Sequence, residues 1–136
     1  MIKPSGTWTN SNRDKIIELY KTYELTPEDV YKHQHYTIIT RSGIEKIEAL
    51  ENIKINYEVI KSEANFAAVK ASAQLKDKSI QTFGSALKGD YKTGNCNTWY
   101  VMEMAEKRAL SRAILKLTGF YQLGVFGEDE SEDFKI

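Results

Sequence analysis

Residues 104–120 read Met-Ala-Glu-Lys-Arg-Ala-Leu-Ser-Arg-Ala-Ile-Leu-Lys-Leu-Thr-Gly-Phe, and their spacing predicts a helix on which the rest of the chain must pack. Ala105, Ala109 and Ala113 recur every fourth residue. At 100° per residue they fall with Met102, Leu110 and Leu117 on one broad arc. A ladder of alanines lets a helix backbone lie close to a sheet, so this arc is the expected core face. Gly119 supplies the left-handed stop that ends such a helix. Arg108, Arg112 and Lys116 form a stripe beside the arc, and Glu106 projects inside it.

Upstream of this helix the hydrophobic period changes from helical to alternating. Ile53, Ile55, Tyr57 and Val59 alternate with Lys54, Asn56 and Glu58, and residues 66–75 place Ala67, Val69, Ala71, Ala73 and Leu75 on one side. Both read as strands, and Asp77-Lys78 reads as a tight turn into a third strand over 79–87. Gly84 inside that strand marks a bulge or a close backbone approach. The longest loop, residues 88–98, follows, with Thr98 the expected cap of the final helix.

Before the sheet, Ser11 or Asn12 is placed to cap a helix over 13–23. Thr26-Pro27-Glu28-Asp29 combines a cap, a first-turn proline and a capping-box acid, predicting a short second helix to about 31–34. Tyr36-Thr37-Ile38-Ile39-Thr40 reads as a strand, and Ser42 as the cap of a helix to about Glu51. The expected architecture is α+β: an antiparallel meander sheet of three to four strands, packed on one face by helices. Residues 1–126 form one domain, with 1–10 poorly ordered, 11–34 as N-terminal helices and 36–119 as the core. Residues 127–136 form an acidic tail.

Zero net charge conceals an asymmetry. Residues 127–136 hold five acids and one base, so the remaining 126 carry 18 bases against 14 acids. A mildly basic body with an acidic end fits an anionic ligand, for which the tail can compete. One cysteine, Cys96, excludes an internal disulfide framework and suits a reducing cytoplasm. No secretory signal or apolar run of about 18 residues occurs, so a cytoplasmic protein without a membrane span is expected. His33-Gln34-His35 lacks the companion ligands of a metal motif, and no phosphate-loop or HExxH pattern is present. A non-enzyme without metal or cofactor is the expectation.

The candidate ligand site combines two segments. Lys107, Arg108, Arg112 and Lys116 on the last helix present cations to a phosphate backbone, with a solvated helix face as the competing reading. Lys88, Tyr91, Lys92, Trp99 and Tyr100 interleave bases with rings, the combination that holds single strands by charge and stacking. Lys54, Lys70, Lys76 and Lys78 extend that surface from the sheet. Glu106 stands apart: a buried carboxylate needs a partner, and Arg41 is the expected structural ion pair.

The segment Arg41-Ser42-Gly43-Ile44-Glu45-Lys46-Ile47, three strands, Asn97-Thr98-Trp99-Tyr100 and the helix 104–113 together resemble small phage proteins of the Erf and Redβ type. These bind single-stranded DNA and anneal strands in recombination. The resemblance spans about residues 36–131, including Glu128-Asp129-Glu130 after the helix. It implies a βαβββα module, shaped like double-stranded-RNA-binding folds, that holds single-stranded DNA in a basic groove and assembles into homo-oligomeric rings or filaments. It implies a place in host cytoplasm if the chain is phage-encoded. The acidic tail, ending Phe134-Lys135-Ile136, resembles in style the tails by which single-strand-binding proteins recruit replication or recombination partners. A protein–protein adaptor or inhibitor without nucleic acid is the alternative.

Overall fold

Helices and strands follow one another as α1 (Asn10–Thr22), β1 (Val30–His33), β2 (Tyr36–Ile39), α2 (Arg41–Glu51), β3 (Lys54–Ser62), β4 (Phe66–Leu75), β5 (Lys78–Leu87), α3 (Val101–Thr118) and β6 (Val125–Gly127). The computed structural model describes residues 10–33, 36–90 and 92–128. Tyr91, His35, the first nine residues and the acidic tail beyond Glu128 lie outside the described residues. The class is α+β, with the expected order β2-α2-β3-β4-β5-α3 at its centre.

The meander forms where alternation predicts it. β4 pairs antiparallel with β3 on one side and β5 on the other, with Val59 opposite Val69 and Lys70 opposite Phe83. The connecting turn is Lys76-Asp77, one residue earlier than expected, since Leu75 already pairs with Lys78. Lys76 enters the left-handed region to make it (φ 56°). A bulge between Val59 and Lys61 leaves Ile60 outside the register.

The alanine arc of α3 packs as its spacing predicts. Ala105, Ala109 and Ala113 are fully buried against the sheet face formed by Ala67, Val69, Ala71 and Ala73 of β4 and Thr82, Gly84 and Ala86 of β5. Gly84 is the close approach: a Cβ there would collide with the Ala105 carbonyl and lie 2.6 Å from the Ala109 nitrogen. Beside it, the Thr82 hydroxyl donates to the Ala109 carbonyl at 2.7 Å. Gly119 closes the helix with φ 90°. Thr98 does not cap it. The helix begins at Val101, and the Thr98 hydroxyl instead accepts the Tyr100 N–H at 3.3 Å.

A second three-stranded sheet differs from expectation. β2 pairs antiparallel with β1 and parallel with β6, so it leaves the meander and builds its own layer. The expected helix from Thr26 is replaced by a turn followed by β1. Its capping interaction nevertheless forms, with the Thr26 N–H and hydroxyl both donating to Asp29 Oδ2 at 2.9 and 3.1 Å. The Ser42 hydroxyl (2.7 Å) and Lys46 Nζ (2.6 Å) also reach the Asp29 carboxylate, and the Thr40 N–H reaches its carbonyl (2.8 Å). These bonds tie the turn to α2 and send Val30 onward as a strand. Burial opposes the charge on Asp29, but the donors from Lys46, Thr26 and Ser42 outweigh it and hold the carboxyl at about 2. Thr40, rather than Ser42, caps α2 by accepting the Gly43 N–H.

The main core, including Ile16, Ile39, Ile44, Ile47, Ile114, Leu115 and Phe120, joins α1, α2 and the second half of α3 to the small sheet. A separate cluster under the first half of α3 contains Ala67, Val69, Ala86, Cys96, Val101 and Ala105. No helix among the described residues is long and apolar enough to cross a membrane.

Candidate nucleic-acid interface

Of the basic stripe on α3, Arg108 is a structural residue and not an open phosphate ligand. Its side chain is 1% exposed, and its guanidinium donates to the Ser85 carbonyl at 2.8 Å and the Asn95 carbonyl at 2.6 Å. Arg112, half-buried one turn later, donates to the Phe83 carbonyl at 2.6 Å. The carbonyls of Phe83 and Ser85 lie along the outer side of β5, away from β4, and the two arginines seal that edge. The Leu87 carbonyl completes the row by accepting the N–H groups of Asn95 (2.9 Å) and Cys96 (3.0 Å). A planar guanidinium with several donors suits this work. Lys116 stays exposed, with its ammonium 5.2 Å from the Tyr121 ring centre. The three cations therefore do not form one open row.

The expected Glu106–Arg41 ion pair is absent. Glu106 is exposed, while Arg41 Nε pairs with Glu45 one turn along α2 at 3.2 Å. The reason lies in the position of α3, which covers β4 and β5 and barely touches β3. The flank of the helix carrying Glu106 therefore overlooks β3, which is left mostly exposed among the described residues. There the Tyr57 hydroxyl is pushed up to about 12, first by burial and then by the carboxylates of Glu106 and Glu48.

The loop before α3 brings together most of the second expected segment. Trp99 and Tyr100 are 67% and 69% exposed, the two most exposed large apolar side chains among those described. The Lys88 ammonium lies 5.0 Å from the Trp99 ring centre. Lys92 is exposed on the same loop, and Lys107 is half-buried. The loop is knotted by Asp90, whose carboxylate accepts the N–H groups of Lys92 (2.9 Å) and Thr93 (3.1 Å) and the Thr93 hydroxyl (3.1 Å). Those bonds, the one from Lys92 first, lower the Asp90 pKa. Asn95 anchors the other end, its side-chain oxygen accepting the Leu87 N–H at 2.7 Å. The rings are thus presented on an ordered support.

The sheet adds a residue that charge and loop composition do not single out. Thr82, Gly84 and Ala86 face α3, which turns Gln81, Phe83, Ser85 and Leu87 to the opposite face, left open among the described residues. Phe83 is 55% exposed there, directly opposite Lys70. An aromatic ring on the polar phase of an alternating strand is the sequence signal that would have found it. No protein family, curated protein or solved structure matches the chain.

Proposed function

We propose that the protein binds single-stranded DNA and supports phage recombination or replication, strand annealing included. The observation that carries this reading is the pair Trp99 and Tyr100, held two-thirds exposed beside Lys88 on a hydrogen-bonded loop. Exposed rings next to cations supply what a single strand requires, a stacking surface and a counter-charge for its phosphates. In this reading Trp99 and Tyr100 stack on bases, while Lys88, Lys92 and Lys107 meet phosphates. Homo-oligomers repeat the site along a strand, and the acidic tail recruits a replication or recombination protein. The excess of four bases on residues 1–126 makes binding by one copy modest and sensitive to salt.

Fluorescence anisotropy with a labelled oligo-dT tests it. Wild-type protein binds at low salt, and Trp99→Ala with Tyr100→Ala weakens binding in a protein that still melts cooperatively. Failure of both wild type and a form lacking residues 129–136 to bind at low salt overturns the reading.

The exposed strand β3 favours a second reading, a protein–protein adaptor. Val59 and Ile60 are 55% and 50% exposed beside Tyr57 on an edge that no other strand covers among the described residues. Size-exclusion light scattering with and without oligonucleotide separates the two. Assembly that depends on DNA supports the first reading, and indifference to DNA supports the adaptor.

A further inference from the structure

We infer that the face of the sheet β3-β4-β5 turned away from α3 is where the bases of a bound single strand are read, an inference that rests on the single-strand reading above. Cross-strand register builds this face in rows. Glu58, Lys70 and Phe83 form one, Asn56, Ser72 and Gln81 the next, and Lys54, Gln74 and Ser79 the third. The last two rows line a shallow trough of about 390 Å³. Phe83 stands at its side with more than half its surface open.

The chemistry of the face selects the occupant. The side chains of Asn56, Ser72, Ser79 and Gln81 make no hydrogen bond to other described residues, so their donors and acceptors are available to a ligand. Amide groups match the paired donor and acceptor pattern of a base edge. The neighbouring ring offers a stacking surface that any base can use. Charge points the same way: residues 54–88 contain six lysines against Glu58, Glu63 and Asp77. Lys70 lies 3.5 Å from Glu58 and Lys61 3.2 Å from Glu63, which leaves Lys54 and the turn lysines Lys76 and Lys78 outside those pairs. A second copy of this face would bring lysines against lysines. A protein partner would find only Phe83 and Leu87 as large exposed apolar groups on β5. The face also runs toward the loop site, because Leu87 at its end leads directly into Lys88. Bases lie on the sheet and phosphates along its lysines and the loop.

Anisotropy titrations of the full chain with labelled dT, dC and dA homopolymers of equal length test this. Phe83→Ala lowers affinity about tenfold, with the slope of log affinity against log salt unchanged because no phosphate contact is lost. Phe83→Trp retains binding. Asn56→Ala with Gln81→Ala narrows the affinity differences among the three homopolymers. All of these positions face solvent, and circular dichroism melting verifies that each variant is folded. If wild type binds while Phe83→Ala and the amide double variant bind and discriminate as it does, the sheet inference is overturned and the single-strand reading stands. If wild type fails to bind any of the three at low salt, both fall.

Discussion

The two edges of the sheet β3-β4-β5 are treated in opposite ways. Along β5 the outward carbonyls of Phe83, Ser85 and Leu87 are each occupied, by Arg112, by Arg108 and by the Asn95–Cys96 backbone. Along β3 the edge carries a bulge and leaves Tyr57, Val59 and Ile60 exposed. Both strands are long, so each edge would present a row of unpaired backbone groups that invites association unless it were sealed. The role of the arginines of α3 follows from this contrast. Cations spaced four apart on a helix look like a phosphate ladder, but here two of them serve as hydrogen-bond donors that close a sheet edge.

The arrangement is most vulnerable at the contact between α3 and β5. Gly84→Ala forces a methyl into the Ala105 carbonyl, and we expect a loss of about 3 kcal/mol or more in urea unfolding. A cost below about 1 kcal/mol would mean that α3 can move away from β5 without penalty. Arg108→Ala removes the seal itself. It leaves the Ser85 and Asn95 carbonyls without their charged donor in a buried site, for an expected loss of about 3 kcal/mol. Arg108→Lys recovers only part of that, because one ammonium cannot reproduce the planar fork that reaches both carbonyls.

Acid acts elsewhere in the molecule, on Asp29 in the turn before β1. Its folded pKa of about 2 lies below the ordinary aspartate value of 3.8, so it contributes about 2 kcal/mol above that value. The contribution is lost as pH falls from about 5 toward 2. The urea midpoint of wild type should decline over this window, and Asp29→Asn should start lower and decline less. Equal declines would place the acid sensitivity elsewhere.

Much of this fold is legible in the sequence because it rests on local periodicity. The alternation in 54–61, 66–75 and 79–87, the alanine ladder and Gly119 each determine a local geometry that survives packing. The second sheet is not legible. β6 is three residues long and exists only by pairing with β2. The capping box at Thr26 forms, yet its Asp29 is drawn into contacts with α2 that no local pattern announces. The candidate site divides in the same way. Trp99, Tyr100 and Lys88 are visible as rings and bases in a loop. The burial of Arg108 depends on which strand carbonyls remain free, and the exposure of Glu106 depends on which strand the helix leaves uncovered. Both are facts of tertiary arrangement.

Smaller effects are expected at the partially exposed seal and at the open edge. Arg112 is half-buried, and water can replace its bond to Phe83, so Arg112→Ala should cost about 1 kcal/mol. At β3 the expectation is smaller still. Val59 and Ile60 pack against little within the chain, so Val59→Thr or Ile60→Thr should change stability by no more than about 0.5 kcal/mol. Measured at two protein concentrations, this result also tests whether the edge is open in solution. A loss well above 1 kcal/mol that shrinks on dilution would mean that a second copy covers β3, since dilution removes from wild type the stabilisation that a complex gives it. The two edges would then both be sealed, one by arginines from within the chain and the other by a neighbour.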